Sequence, residues 1–79
     1  MKTLFILVAS TYFHAEDSFD VETYPYSSLE KAQEQKEKLL LDMEETMDTK
    51  RTSPNAIITS DFWYEIKIEK KTIDYEYNY

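Results

Sequence analysis

The chain has 79 residues, 42% of them hydrophobic, with no cysteine and no glycine, and 16 acids against 9 bases give a formal net charge of −7. These values bound one domain spanning residues 1–79 and exclude disulfides and thiolate metal sites. They also argue against direct binding to nucleic acid or an anionic membrane, because phosphate contacts need Lys and Arg to displace counterions.

The first element is the unbroken apolar run Leu4-Phe5-Ile6-Leu7-Val8-Ala9, continuing through Thr11, Tyr12 and Phe13. Such a run predicts a strand covered on both faces. It is too short for a secretory core segment or a bilayer span, so a cytoplasmic protein is expected. His14 to Ser18 is polar and turn-like. Phe19-Asp20-Val21-Glu22-Thr23 then alternates apolar with polar, the pattern of a half-buried strand. The two strands form a hairpin, and Pro25 is expected to end the second because it cannot donate to a ladder.

Ser27 and Glu30 have capping-box spacing, which predicts a helix from Ser28 to about Met47. Its apolar positions are Leu29, Ala32, Leu39, Leu40, Met43 and Met47. Lys36 interrupts that stripe, and its stem is expected to lie along the sheet with the ammonium in water. Glu34 and Lys38 form a favourable i,i+4 pair. Residues 48–55 form the longest loop. Beyond it, Phe62, Tyr64, Ile66 and Ile68 share one parity and predict a core-facing strand. After Lys70-Lys71 the alternation shifts phase, which a bulge or a tight hairpin would absorb. The expected fold is α+β: an antiparallel sheet of three or four strands with one helix on one face (ββαββ or ββαβ). Its other face is left with little cover. Without glycine, turns needing positive φ fall to Asn or Asp, and phosphate-cradling loops are disfavoured.

No residue pattern points to catalysis, a metal or a cofactor. His14 is the one histidine and adjoins a turn in a chain with no cysteine, which reads as a solvated loop residue. Glu16, Asp17, Asp20 and Glu22 lack the glycine of the common calcium loop and read as an exposed acidic face. Trp63 shares the parity of Asp61, Glu65 and Lys67, the side expected to be wet. A large indole among charges is either covered by the chain's own C-terminal segment or offered to a partner. Tyr75, Tyr77 and Tyr79 alternate with Asp74, Glu76 and Asn78, an edge strand or a protein-facing strip.

The stretch Tyr24-Pro25-Tyr26-Ser27-Ser28-Leu29-Glu30-Lys31-Ala32 resembles the strand-to-helix junction of small acidic accessory proteins from phages and mobile elements. Members of that group include anti-CRISPR and anti-restriction inhibitors. The resemblance covers nine residues and transfers no functional residue. It implies a non-enzymatic protein that occupies the basic surface of a larger host protein, such as a CRISPR effector or another nucleic-acid-binding protein. The expected contact set is Trp63 and the three tail tyrosines as anchors. Glu16, Asp17, Asp20, Glu22, Asp61, Glu65, Asp74 and Glu76 would imitate phosphates. The alternative is a self-associating structural or regulatory module that dimerises through its aromatic sheet edge.

Overall fold

The computed structural model describes residues 2–73. The expected tyrosine strip and the acids Asp74 and Glu76 lie outside these residues. In chain order the elements are β1 (Lys2–Phe13), β2 (Ser18–Tyr26), α1 (Leu29–Thr46), β3 (Ala56–Ile58) and β4 (Phe62–Ile73). The strands form one antiparallel sheet in the order β2-β1-β4-β3, with α1 packed on one face. This is the expected α+β class. One element was not anticipated: Ala56–Ile58 is a strand of its own, paired with β4 through a turn at residues 59–61.

The long pair is β1 with β4, twelve residues each, in register from Lys2 opposite Ile73 to Phe13 opposite Phe62. The pairing runs unbroken through Lys70 and Lys71, so neither the expected bulge nor a hairpin forms there. A central β1 of equal length templates β4 along its whole run. Pro25 does not end β2, which continues to Tyr26. Proline is tolerated because β2 is an edge strand, where one side of the backbone needs no ladder partner.

Residues sharing a parity share a face. On the α1 side lie Leu7 and Ala9 of β1, Ile57 of β3, and Phe62, Tyr64 and Ile66 of β4, all buried together with Leu40 of the helix. Phe13, Tyr26, Leu39 and Met43 pack around them. Ile68 shares this face but is only half-buried.

The helix begins one residue later than the capping-box spacing suggested. Ser28, not Ser27, is the N-cap; its extended backbone lets its Oγ accept from the Lys31 amide at 3.1 Å. Glu30 therefore stands in the first turn, where a carboxylate complements the helix dipole, instead of closing a reciprocal box. Lys36 behaves as its position predicts: its stem lines a groove with Phe5, Leu29 and Ile68, and its Nζ donates to Asn55 Oδ1 at 2.8 Å.

Turns are made without glycine. Among the described residues the positive-φ positions are Asp17 (φ 48°) and Asp48 (φ 50°), a residue type that tolerates the left-handed region. The β3–β4 turn is held by Thr59, whose Oγ1 accepts from the amides of Asp61 and Phe62 at 3.2 and 3.1 Å. The loop after α1 is clamped by Arg51, which reaches Glu44 at 2.8 Å and Glu37 at 3.0 Å.

Candidate functional site

Among the described residues the sheet has one face covered by α1 and one left uncovered, and the sequence-predicted contact residues divide between them. Trp63 lies on the uncovered face, half-buried. Among the described residues it is flanked by Tyr12, with ring centroids 6.1 Å apart, and Phe19, at 5.8 Å; the C-terminal segment offered as its cover lies outside them. These positions are directly opposite one another across the ladders. Phe19 pairs with Tyr12, Tyr12 with Trp63, and Trp63 with Ile58. One apolar row therefore crosses all four strands, a span of about 14 Å at ordinary strand spacing. Below it on the same face lie Val21 of β2 and Leu4, Ile6 and Val8 of β1.

Two expectations are corrected here. β1 was to be covered on both faces, yet Leu4, Ile6 and Val8 are only half-buried, because α1 seals one side alone. β2 was to bury its apolar half, yet Phe19 and Val21 remain 59% and 45% exposed. The four-residue loop at 14–17, with Asp17 at positive φ, sets a register that places Ser18 opposite Phe13. That register turns Phe19 and Val21 away from the helix and turns Tyr24 and Tyr26 toward it.

The same register puts Asp20 and Glu22 on the helix side, exposed at the β2 edge and away from Trp63. The Tyr24 hydroxyl donates to Glu22 there. Tyr64, beneath, has its pKa raised first by burial and then by Glu22, Tyr24 and Asp42, which places the Asp42 carboxylate of α1 in the same field. Glu45 follows one turn later on the helix. The ion pairs among the described residues join Arg51 to Glu37 and Glu44, and Lys67 to Glu65. Asp20, Glu22 and Asp42 belong to none of these.

Glu16, Asp17 and Asp61 gather at the end of the sheet beside the aromatic row. Tyr12 donates its hydroxyl to Asp17 Oδ1 at 2.7 Å, which raises the phenol pKa. The His14 amide donates to the Asp61 carbonyl at 2.9 Å, and the exposed His14 ring sits edge-on to Tyr12 at 4.9 Å. Glu65 stands on the uncovered face near Trp63, where both line a shallow pocket of about 310 Å³ with Ala56 and Ile58. The structure thus gathers Trp63, Glu65, Asp61, Asp17 and Glu16 at one end and separates them from Asp20 and Glu22. Among the described residues no three His, Asp or Glu side chains converge on a cation position.

Charge divides as the faces do. The uncovered face carries Lys2, Lys67 and Lys71 against Glu65 and Glu69. Of the 16 acids, Asp74 and Glu76 fall outside the described residues and two lie on this face. The other twelve, with six of the nine bases, belong to the helix side, α1 and the loops. Sequence reading missed Tyr12, Phe19 and Ile58 as neighbours of Trp63, and Asp42 as an acid acting on Tyr64 along with Glu22. A signal existed for the first group, since Leu4, Ile6, Val8 and Tyr12 share a parity inside the apolar run. Cross-strand pairing alone supplies the rest.

No helix is long and apolar enough to cross a membrane among the described residues. No family model, characterised protein or solved structure matches the chain.

Proposed function

We propose that this is a non-enzymatic binding protein of phage or mobile-element type, acting in the host cytoplasm on a larger protein that handles nucleic acid. Its negative helix side occupies the partner's basic groove, with carboxylates in the place of phosphates. The observation that supports this is the concentration of acids on one side: Asp20 and Glu22 on the β2 edge, Asp42 and Glu45 on α1, and among the described residues no ion pair joins the first three to a base. Fixed carboxylates on a strand and a helix present charge without first having to be ordered, which favours both encounter rate and orientation. The resemblance of Tyr24–Ala32 to phage accessory proteins points the same way, toward inhibition of a host defence protein such as a CRISPR effector. Trp63 stands on the opposite face from Asp20 and Glu22, so those acids, and not the indole, form the primary contact.

The test is capture from host extract on the immobilised chain, followed by elution with a short duplex oligonucleotide. A bound protein should be displaced by the duplex and released as salt rises from about 0.05 to 0.5 M, since exposed charge pairs are screened over about 10 Å at 0.1 M. The variant D20K/E22K should lose at least about 2 kcal/mol of affinity, the scale of several like-charge contacts. Capture that neither duplex nor salt disturbs removes phosphate mimicry from consideration.

A further inference from the structure

The uncovered sheet face carries a pattern that names its own occupant. Along β4 the side chains on this face are Glu65, Lys67, Glu69 and Lys71, an alternation of sign with two members on each side of Ile68. A twofold axis lying across the strands at Ile68, between two stacked sheets, brings Glu65 over Lys71 of the second copy and Lys67 over Glu69. Every charge of β4 on this face then meets its opposite, while Lys2 of β1 comes over Tyr12 of the second copy. A twofold axis running along the strands would instead set these charges over Leu4, Ile6 and Val8, desolvating them without partners.

We infer that the chain forms a homodimer by stacking its uncovered face on that of a second copy, with the axis crossing β4 at Ile68. The same axis sets Ile6 over Val8 of the partner copy, so the apolar strip of β1 closes on itself. The aromatic row of Phe19, Tyr12 and Trp63 lies five residues from the axis, at each end of the shared surface. Sheets stack face to face about 10 Å apart at roughly −30°, a distance that facing Leu, Ile and Val side chains fill.

Three observations favour a second copy over other occupants. The face is nearly neutral, with Lys2, Lys67 and Lys71 against Glu65 and Glu69, in a chain of net charge −7. Self-contact here avoids the repulsion that any other surface of this molecule would bring. A strongly basic partner would meet lysines on this face and find better complements on the helix side. The area suits a weak, reversible dimer. β1 and β4 overlap along about 36 Å and β2 over about half its length, so about 400 Å² per copy, about 800 Å² in total, is covered, the size of a transient interface.

Edge pairing is the weaker route to a dimer. The β2 edge holds Pro25, and the outer edge of β4 beyond β3 carries Lys67, Lys70 and Lys71, the residues that blunt edges against strand addition. Stacking leaves α1, Asp20 and Glu22 pointing outward from both copies, so the proposed acidic contact stays open and the two readings fail separately.

The experiment is sedimentation equilibrium of the full chain over a concentration series from roughly 1 to 500 µM, the range in which an interface of this size dissociates. The wild type should move from monomer to dimer. K67E sets glutamate against Glu69 of the second copy at two symmetric positions, and E69K sets lysine against Lys67. Each should weaken association about tenfold or more. The double variant K67E/E69K restores opposite signs at both places and should return to within about threefold of wild type. Positions 67 and 69 are exposed, so all three variants should melt as the wild type does at low concentration. A chain that stays monomeric throughout overturns the inference and leaves the face to an unlike partner. A dimer indifferent to K67E and E69K, or not rescued by the double change, overturns it as well.

Discussion

Leu7 and Val8 are adjacent in β1, similar in chemistry, and meet different fates. Leu7 is fully buried in one core cluster with Leu40 of α1 and Tyr64 and Ile66 of β4, while Val8 on the other face is only half-buried. The difference repeats across the sheet: Ile57 is sealed, and Ile58 beside it is 59% exposed. One face is finished by the helix. The other offers a comparable set of apolar side chains, and no element among the described residues covers them. A small domain gains little by leaving such a surface in water, so the uncovered half is better read as contact area than as unfinished core.

The largest expected effect that separates the faces comes from Leu7→Ala against Val8→Ala. Leu7→Ala should destabilise by about 3 kcal/mol through lost transfer energy and an unfilled cavity, a large part of what a domain of this size possesses. Val8→Ala should remain within about 1 kcal/mol when urea unfolding is followed below about 1 µM, where a dimer is dissociated. If both substitutions prove equally damaging there, the open face is not open, and the contrast between the faces collapses.

A smaller effect tests how α1 is held over the covered face. Ser28→Ala should lower stability by about 1 kcal/mol, because the Lys31 amide loses its acceptor. Ser27→Ala should change it by less than about 0.5 kcal/mol, as for an ordinary exposed position. Reversed magnitudes would move the cap to Ser27 and make Glu30 its reciprocal partner.

The smallest effect concerns acid. Hydrogen bonds from the Arg51 side chain and backbone hold the Glu44 pKa below its ordinary value. A depressed folded-state pKa means the unfolded chain takes up the proton first as pH falls. The contribution of Glu44 is therefore present above its unfolded pKa and lost as pH drops through the folded one. Glu44→Gln should flatten the acid side of a plot of urea midpoint against pH and leave the slope near neutrality unchanged. Parallel acid limbs for variant and wild type would show that the clamp does not respond to protonation.

Much of the covered face was legible in the residues. The parity of Phe62, Tyr64 and Ile66 marked a core-facing strand, and Leu39, Leu40 and Met43 marked the helix stripe, because buried apolar residues must recur at the period of their element. The absence of glycine sent positive φ to aspartates, as Asp17 and Asp48 show. The uncovered face was far less legible. Trp63 could be flagged as out of place, but its neighbours Tyr12, Phe19 and Ile58 come from three other strands, and no local pattern joins them. Asp20 and Glu22 were grouped with Trp63 on composition, and the hairpin register parted them. The short β3 was missed because three residues are too few to show an alternation.

The amino-acid order by itself fixed the order of β1, β2, α1 and β4, the core-facing parity of Phe62, Tyr64 and Ile66, and the excess of negative charge, since these follow from local spacing and composition. Which parity of β1 and β2 met the helix was decided only when the chain closed, because a period of two names two faces without saying which will be covered. That choice belongs to the hairpin register and to where α1 settles. From it came the sealed core, the aromatic row across four strands, and the separation of lysine-bearing sheet from acidic helix side.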